Sequence, residues 1–309
     1  MTLAALDDDR LELADGRWRL VVAPSQGGSL LACELDGLPV LKPSPQPPAP
    51  GLEPVSSCYF PLIPYSNRIE NGQFRFGGAF VQLAQNVSGS PHALHGHGWQ
   101  TAWQVIERRR SGCTLSFFHA ATREWPWAYE GRQTIAIAGE ELRITLAIQN
   151  LAPGDMPCGL GFHPFLPRTP DARLEFGAAR VWDGGAGAFP TMRVAVPEPL
   201  DFRNGPRVSD RQGTDHCFDD WQGRATVSGG GSKRTLVLEG SAETRFLIVY
   251  IPESADYFCV EPATHAVNAM NLPDAAESGL WVLAPRETRQ ISMTIRLKGT
   301  VTFKGDRPL

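Results

Sequence analysis

The sequence predicts an all-β protein, a large antiparallel β-sandwich. Three observations predict it: short runs of alternating apolar and polar residues recur along the chain, 31 Gly and 26 Pro punctuate it at short intervals, and no amphipathic helix pattern of 12 or more residues is found. Alternation puts one face of a strand in the core and the other towards solvent or an opposing sheet, and many such strands with turn signals between them make a sandwich.

The runs can be taken in chain order. Arg17 to Val22, Thr101 to Ile106, Thr114 to His119 and Arg132 to Ile137 each read as a strand with one buried face. In Glu141 to Gln149 the even positions Leu142, Ile144, Leu146 and Ile148 are apolar, and Thr235 to Leu238 and Gln290 to Leu297 alternate in the same way. Asp274 to Ser278 is expected to form a turn of helix at most. Three stretches interrupt the pattern. Lys42 to Ser57 carries Pro43, Pro45, Pro47, Pro48, Pro50 and Pro54 and reads as a surface loop with polyproline character. Trp182 to Pro190 is Gly/Ala-rich and reads as a second loop. Gly229-Gly230-Gly231-Ser232 lacks the Gly-Lys-Ser/Thr ending of a phosphate loop and reads as a hairpin turn. With no internal repeat and no shift of composition, residues 1–309 are expected to form one domain.

Composition narrows the partners. The chain has 42% hydrophobic and 20% charged residues, a formal charge of −4, and no basic run longer than Arg108-Arg109-Arg110, so no footprint for nucleic acid or an anionic membrane is expected. No segment approaches the ~18 apolar residues of a membrane span. The opening Met1 to Asp9 has no basic region, and no signal peptide is expected. Six cysteines are scattered without a Cys-x-x-Cys pair, which fits free packed thiols and a cytoplasmic setting. A small-molecule ligand and a monomer or weak homodimer are expected.

Several familiar site types are absent: there is no His-Glu-x-x-His, no Gly-x-Ser-x-Gly and no Gly-x-Gly-x-x-Gly after a strand. His95-Gly96-His97 has a spacing that would place two imidazoles on one face of a strand, but no third ligand is near in sequence, so no metal is expected and His97 reads as a surface or packing residue. Two ionisable residues stand out instead. Glu261 follows the apolar segments Phe246 to Ile251 and Tyr257 to Val260, and His163 lies within Gly159-Leu160-Gly161-Phe162-His163-Pro164-Phe165. Burial strips water from such groups, moves their pKa values and demands a partner. Either alone would read as a satisfied core polar group; together they make a candidate acid/base pair. Asn67 and Arg68 emerge from a buried-looking run into a turn, His95 sits beside glycines that would let a ligand approach the backbone, and Asp215 lies in Thr214-Asp215-His216-Cys217-Phe218. Such groups suit sugar hydroxyls, and Trp99, Trp103, Trp125, Trp127 and Phe162 are candidate stacking aromatics.

Taken in order, Pro64-Tyr65-Ser66-Asn67-Arg68-Ile69, Leu94-His95-Gly96 with Trp99, Gly161-Phe162-His163-Pro164-Phe165, Asp215-His216-x-Phe218 and Glu261-Pro262-x-Thr264…Asn268-Ala269 resemble the aldose 1-epimerase (galactose mutarotase-like) family over nearly the whole chain. Phe162, where the best-known galactose mutarotases carry Asn, and the residues after Pro262 mark a divergent bacterial member. The resemblance implies a β-supersandwich without metal or cofactor. It makes Glu261 the general base and His163 the general acid, with Arg68, His95, Asp215 and Asn67 binding hydroxyls. The base would take the anomeric proton and the acid would protonate the ring oxygen, so that the C1–O5 bond opens, C1–C2 rotates and the ring recloses with roles reversed. A carboxylate Glu261 and an imidazolium His163 would suit that exchange near neutrality. The sequence leaves open whether His97 or His265 contributes. It also leaves room for a hexose 6-phosphate 1-epimerase using Arg123, Arg168 and Arg173, for a non-catalytic carbohydrate-binding or sensing domain, and for a glycoside hydrolase using Asp215 and Glu261.

Overall fold

A computed structural model describes residues 9–43, 57–184, 189–229 and 232–299. The centre of the Pro-rich stretch (44–56), residues 185–188 of the Gly/Ala-rich loop and Gly230-Gly231 of the hairpin turn lie outside them. Among the described residues, seventeen strands hydrogen-bond into one antiparallel sheet that folds over into the layers of a β-sandwich. The one-turn helix expected near Asp274 is Ala275–Ser278, started by the Asp274 carboxylate accepting from the Glu277 N–H.

Alternation became strands for the reason that predicted it. Glu141–Asn150 lies between Tyr129–Ala138 and Thr288–Lys298, and its Leu142, Ile144, Leu146 and Ile148 are fully buried. Across the pairing, Leu142 faces Ile295, Ile144 faces Met293 and Leu146 faces Ile291. Each such burial stabilises the fold by ~1.5–3 kcal/mol. The run Thr101 to Ile106 behaves differently. The strand there is Gln104–Arg109, exposed along its length, pairing only with Gly112–His119 among the described residues and with a register shift between Val105 and Glu107. It is an edge strand, and its charged Glu107, Arg108 and Arg109 discourage further pairing.

Five strands lie side by side and carry the polar residues of interest. Their order is Tyr59–Leu62, Gly161–Pro167, Tyr257–Ala263, Phe246–Ile251 and the start of Thr214–Gly229. On the strand Gly161–Pro167, Phe162 points to the main core, while His163 belongs to the opposite face with Phe165. Under that face, Phe60, Leu62, Trp99, Phe165 and Cys259 form a separate buried cluster. All six cysteines are free and buried, and no helix among the described residues is long and apolar enough to cross a membrane.

Candidate active site

Register brings the two buried ionisable residues together. Gly161 pairs with Ala263 and Phe165 with Cys259, which sets His163 directly across from Glu261. His163 Nε2 and Glu261 Oε1 are 3.3 Å apart, and the two side chains are 9% and 3% exposed. On its other side His163 pairs with Phe60, whose ring stacks on the imidazole at 4.4 Å. The second atoms of both groups, Glu261 Oε2 and His163 Nδ1, are buried without a hydrogen-bond partner among the described residues. In most folded proteins such atoms are satisfied, so an unpaired pair here marks a place for a polar ligand.

A cavity of about 220 Å³ opens above this pair, with Arg68, Asn67, His95, Asp215, Phe60 and Trp99 among its walls. Its size falls below the ~300–1,000 Å³ of sites for drug-sized ligands and suits one sugar ring. Arg68 and Asp215 close one side, joined at 3.2 Å and each 39% exposed. The Arg68 backbone begins the short Arg68–Ile69 strand after Asn67 turns with φ +57. The Asn67 side-chain oxygen accepts from the Arg68 N–H at 2.9 Å, so Asn67 fixes the base of the arginine. Asn268, from the segment beyond Glu261, supports the same turn: its N–H donates to the Arg68 carbonyl and its side-chain oxygen accepts from the Glu70 N–H. Thr264 ties the two catalytic-looking strands together, with its hydroxyl accepting from the Leu160 N–H at 3.0 Å.

His95 reaches the cavity by an unusual backbone route. It has φ +60 and the next residue, Gly96, has φ +70. A Cβ on Gly96 would lie 2.1 Å from the Ile63 carbonyl oxygen, so the glycine is needed for close approach to the Ile63–Pro64 segment, and not for a ligand as the sequence suggested. Asn86 fastens this loop, donating to the Leu94 and Gly96 carbonyls and accepting from the Leu94 N–H. His95 Nδ1 accepts from the Asn67 N–H at 3.1 Å, which leaves Nε2 to carry the proton and donate. The His95 and His163 rings meet edge-on at 5.2 Å.

The same turn separates His95 from His97. His97 points away from the cavity, bonds the Tyr129 hydroxyl at 2.6 Å and stacks near His119, so the two imidazoles do not share a face. His265 is also outside the cavity: its Nε2 accepts from the Ser66 N–H and its Nδ1 lies 2.8 Å from the Ala266 carbonyl, which makes it a brace for the Ser66 turn. Of the aromatics nominated from sequence, Trp99 lines the cavity, whereas Trp103, Trp125, Trp127 and Phe162 belong to the main core. The cavity instead uses Phe60, Phe165, Tyr250 and Tyr257, which sequence reasoning missed. Their signal was weak, because an aromatic in an apolar strand reads as core. Arg123, Arg168 and Arg173 do not line the cavity. Arg168 is spent on the Pro252 carbonyl and Arg173 on the Gly205 carbonyl.

Burial sets the protonation states. It pushes the Glu261 carboxyl well up, with the Asp215 charge adding to the rise and Arg68 opposing it. It pushes the His163 imidazole down to about 3, against a smaller upward pull from a backbone hydrogen bond. The resting pair is therefore a neutral acid facing a neutral imidazole, with one transferable proton, rather than the carboxylate and imidazolium that the sequence led us to expect. Burial also holds His95 neutral, helped by His163 and Arg68. One group of donors could hold a metal: His163, Cys259 and Glu261 place three ligand atoms within 4.8 Å of one another. Burial keeps the Cys259 thiol protonated, which opposes metal binding there.

With this geometry in view, the chain can be set beside known proteins. The family model described as aldose 1-epimerase matches residues 9–296. The chain belongs to the aldose 1-epimerase family. It is a divergent member, 29% identical over 297 residues to the uncharacterized protein YphB of Escherichia coli K12, covering 93% of this chain and 98% of that one. Its fold is similar to that of a galactose mutarotase-like protein from Clostridium acetobutylicum, with a TM-score of 0.84 at 19% identity and coverage of 94% and 95%. A galactose 1-epimerase from Lactobacillus acidophilus NCFM superimposes with a TM-score of 0.73 at 17% identity, covering 96% and 97% of the two chains. At those identities the likeness is one of fold.

Proposed function

We propose that this family member is an aldose 1-epimerase that interconverts the anomers of an aldohexose, with Glu261 and His163 as its acid/base pair. The observation that carries the reading is the buried 3.3 Å contact between them, with an unpartnered carboxylate oxygen beside a sugar-sized cavity. The anomeric hydroxyl would donate to Glu261 Oε2, favouring the carboxylate and passing the shared proton to His163. Glu261 then takes the anomeric proton while His163 protonates the ring oxygen, and the C1–O5 bond opens. Rotation about C1–C2 and closure with the roles reversed gives the other anomer and returns the pair to its starting state. Arg68, Asp215, His95 Nε2–H and Asn67 hold the remaining hydroxyls, and Arg68 offsets negative charge on the departing oxygen. The reaction needs no redox step and no nucleophile. Six free buried thiols support a cytoplasmic setting, and the family match across 9–296 supports one domain.

Polarimetry on freshly dissolved α-D-glucose and α-D-galactose tests this. The protein should accelerate the drift of rotation, and Glu261→Gln and His163→Asn should each lower the rate by ~10²–10⁴-fold with the fold retained by circular dichroism. Wild-type rates in both variants would sink the assignment.

A further inference from the structure

Arg68 and Asp215, which close one side of the acid/base cavity, also wall a second cavity of about 360 Å³. This lobe is lined by Trp182, Phe189, His92 and His216. Trp182 is 5% exposed, lies opposite Cys217 on the neighbouring strand, and has an indole N–H with no partner among the described residues. Phe189 and His92 pack edge to face at 4.8 Å on the opposite side. An unused indole donor and the aromatic surfaces of Phe189 and His92 are the parts needed to hold the polar rim and apolar face of a sugar ring.

We infer that this lobe is a subsite for a second sugar ring, so that the favoured substrate is a reducing disaccharide. The inference rests on the proposed epimerase reading: the reducing ring sits on Glu261 and His163, and its glycosidic oxygen passes Arg68 and Asp215 into the lobe. A bare hexose in the acid/base cavity leaves the Trp182 N–H unpaired.

The test compares glucose and galactose with maltose, lactose, isomaltose and melibiose, following anomer exchange by NMR and binding by calorimetry. At least one disaccharide should show a higher kcat/KM than its own reducing monosaccharide. Phe189→Ala should lower that disaccharide's kcat/KM by about tenfold while leaving the monosaccharide's unchanged. Trp182→Phe, which removes the N–H along with part of a packed side chain, should act in the same direction, and thermal unfolding separates lost binding from a weakened fold. Turnover of monosaccharides with no disaccharide preferred, or equal losses on both substrate types, overturns the subsite and leaves the epimerase reading standing. If no sugar is turned over, tighter calorimetric binding of a disaccharide that is lost in Phe189→Ala upholds the subsite and removes the epimerase reading. No difference in binding overturns the subsite as well.

Discussion

The protonation state of the Glu261–His163 pair can be worked from the structure and measured directly. The fall of His163 from 6.5 to about 3 corresponds to about 5 kcal/mol against charging the ring. Charging Glu261 costs free energy in addition, since burial holds its carboxyl well above 4.5. Set against these is the attraction of an ion pair at 3.3 Å, ~5 kcal/mol at an effective dielectric of ~20. The attraction only matches the first cost, and the second, large for a fully buried carboxyl, outweighs the ~3 kcal/mol by which an ordinary imidazole at 6.5 is favoured over an ordinary carboxyl at 4.5 for the proton, so the neutral tautomer is the resting state. At pH 5 the His163 ring should be only about 1% protonated, where an ordinary imidazole would be about 97% protonated. The assay is an NMR titration of ¹⁵N-labelled imidazole nitrogens, with the His163 signals identified by their absence in His163→Asn. They should keep a neutral pattern from pH 8 to pH 5, and Glu261→Gln should leave that pattern unchanged. An imidazolium pattern at pH 7 that disappears in Glu261→Gln would refute the reasoning, since it would mean the ion pair outweighs burial.

Stability should fall steeply in acid, and the pair itself should not be the cause. Between the ordinary carboxyl value of 4.5 and the ordinary imidazole value of 6.5, the unfolded pair and the native pair each hold one proton, so they cancel. His95, His97 and His265 do not cancel: burial lowers His95 well below its ordinary value and the other two to about 3 and about 4, so the unfolded chain binds three protons that the native protein does not. Their stabilising effect is whole above pH 6.5 and is lost as pH falls, at roughly 4 kcal/mol per pH unit between about pH 5.5 and 4.5. That is large beside a total of ~5–15 kcal/mol. Urea unfolding at pH 7.5, 5.5 and 4.5 measures it, and a flat series contradicts the assignment of the three histidines as buried and neutral. Separately, Gly96→Ala should destabilise the fold by on the order of 3 kcal/mol, combining a positive φ with a clash against the Ile63 carbonyl. Because the strain falls beside His95, residual folded protein should also show a raised KM; unchanged stability in thermal unfolding would mean the loop has another way to pack.

How far the site was legible depended on what kind of information each residue carried. Leu142 to Ile148 announced a strand and its buried face, because alternation is a local consequence of the β backbone. His163 and Glu261 stood out because a polar residue inside an apolar run breaks the local pattern, and the structure does bring both to one cavity with Arg68, Asn67, His95 and Asp215. Phe60, Phe165, Tyr250 and Tyr257 break nothing locally, so only cross-strand register reveals which of the chain's aromatics face the cavity. His95 and His97 show a further limit. A spacing of two puts side chains on one face only if the backbone between them is extended, and here His95 and Gly96 both have positive φ. The intervening glycine was itself the warning, since a strand gains nothing from one unless another backbone must come close. Charge is the least local property of all. Whether Glu261 and His163 hold their proton as an ion pair or a neutral pair turns on a 3.3 Å separation and the loss of water around both groups. Neither quantity exists until five strands are in register, so the sequence could nominate the two residues but not the end of the contact on which the proton rests.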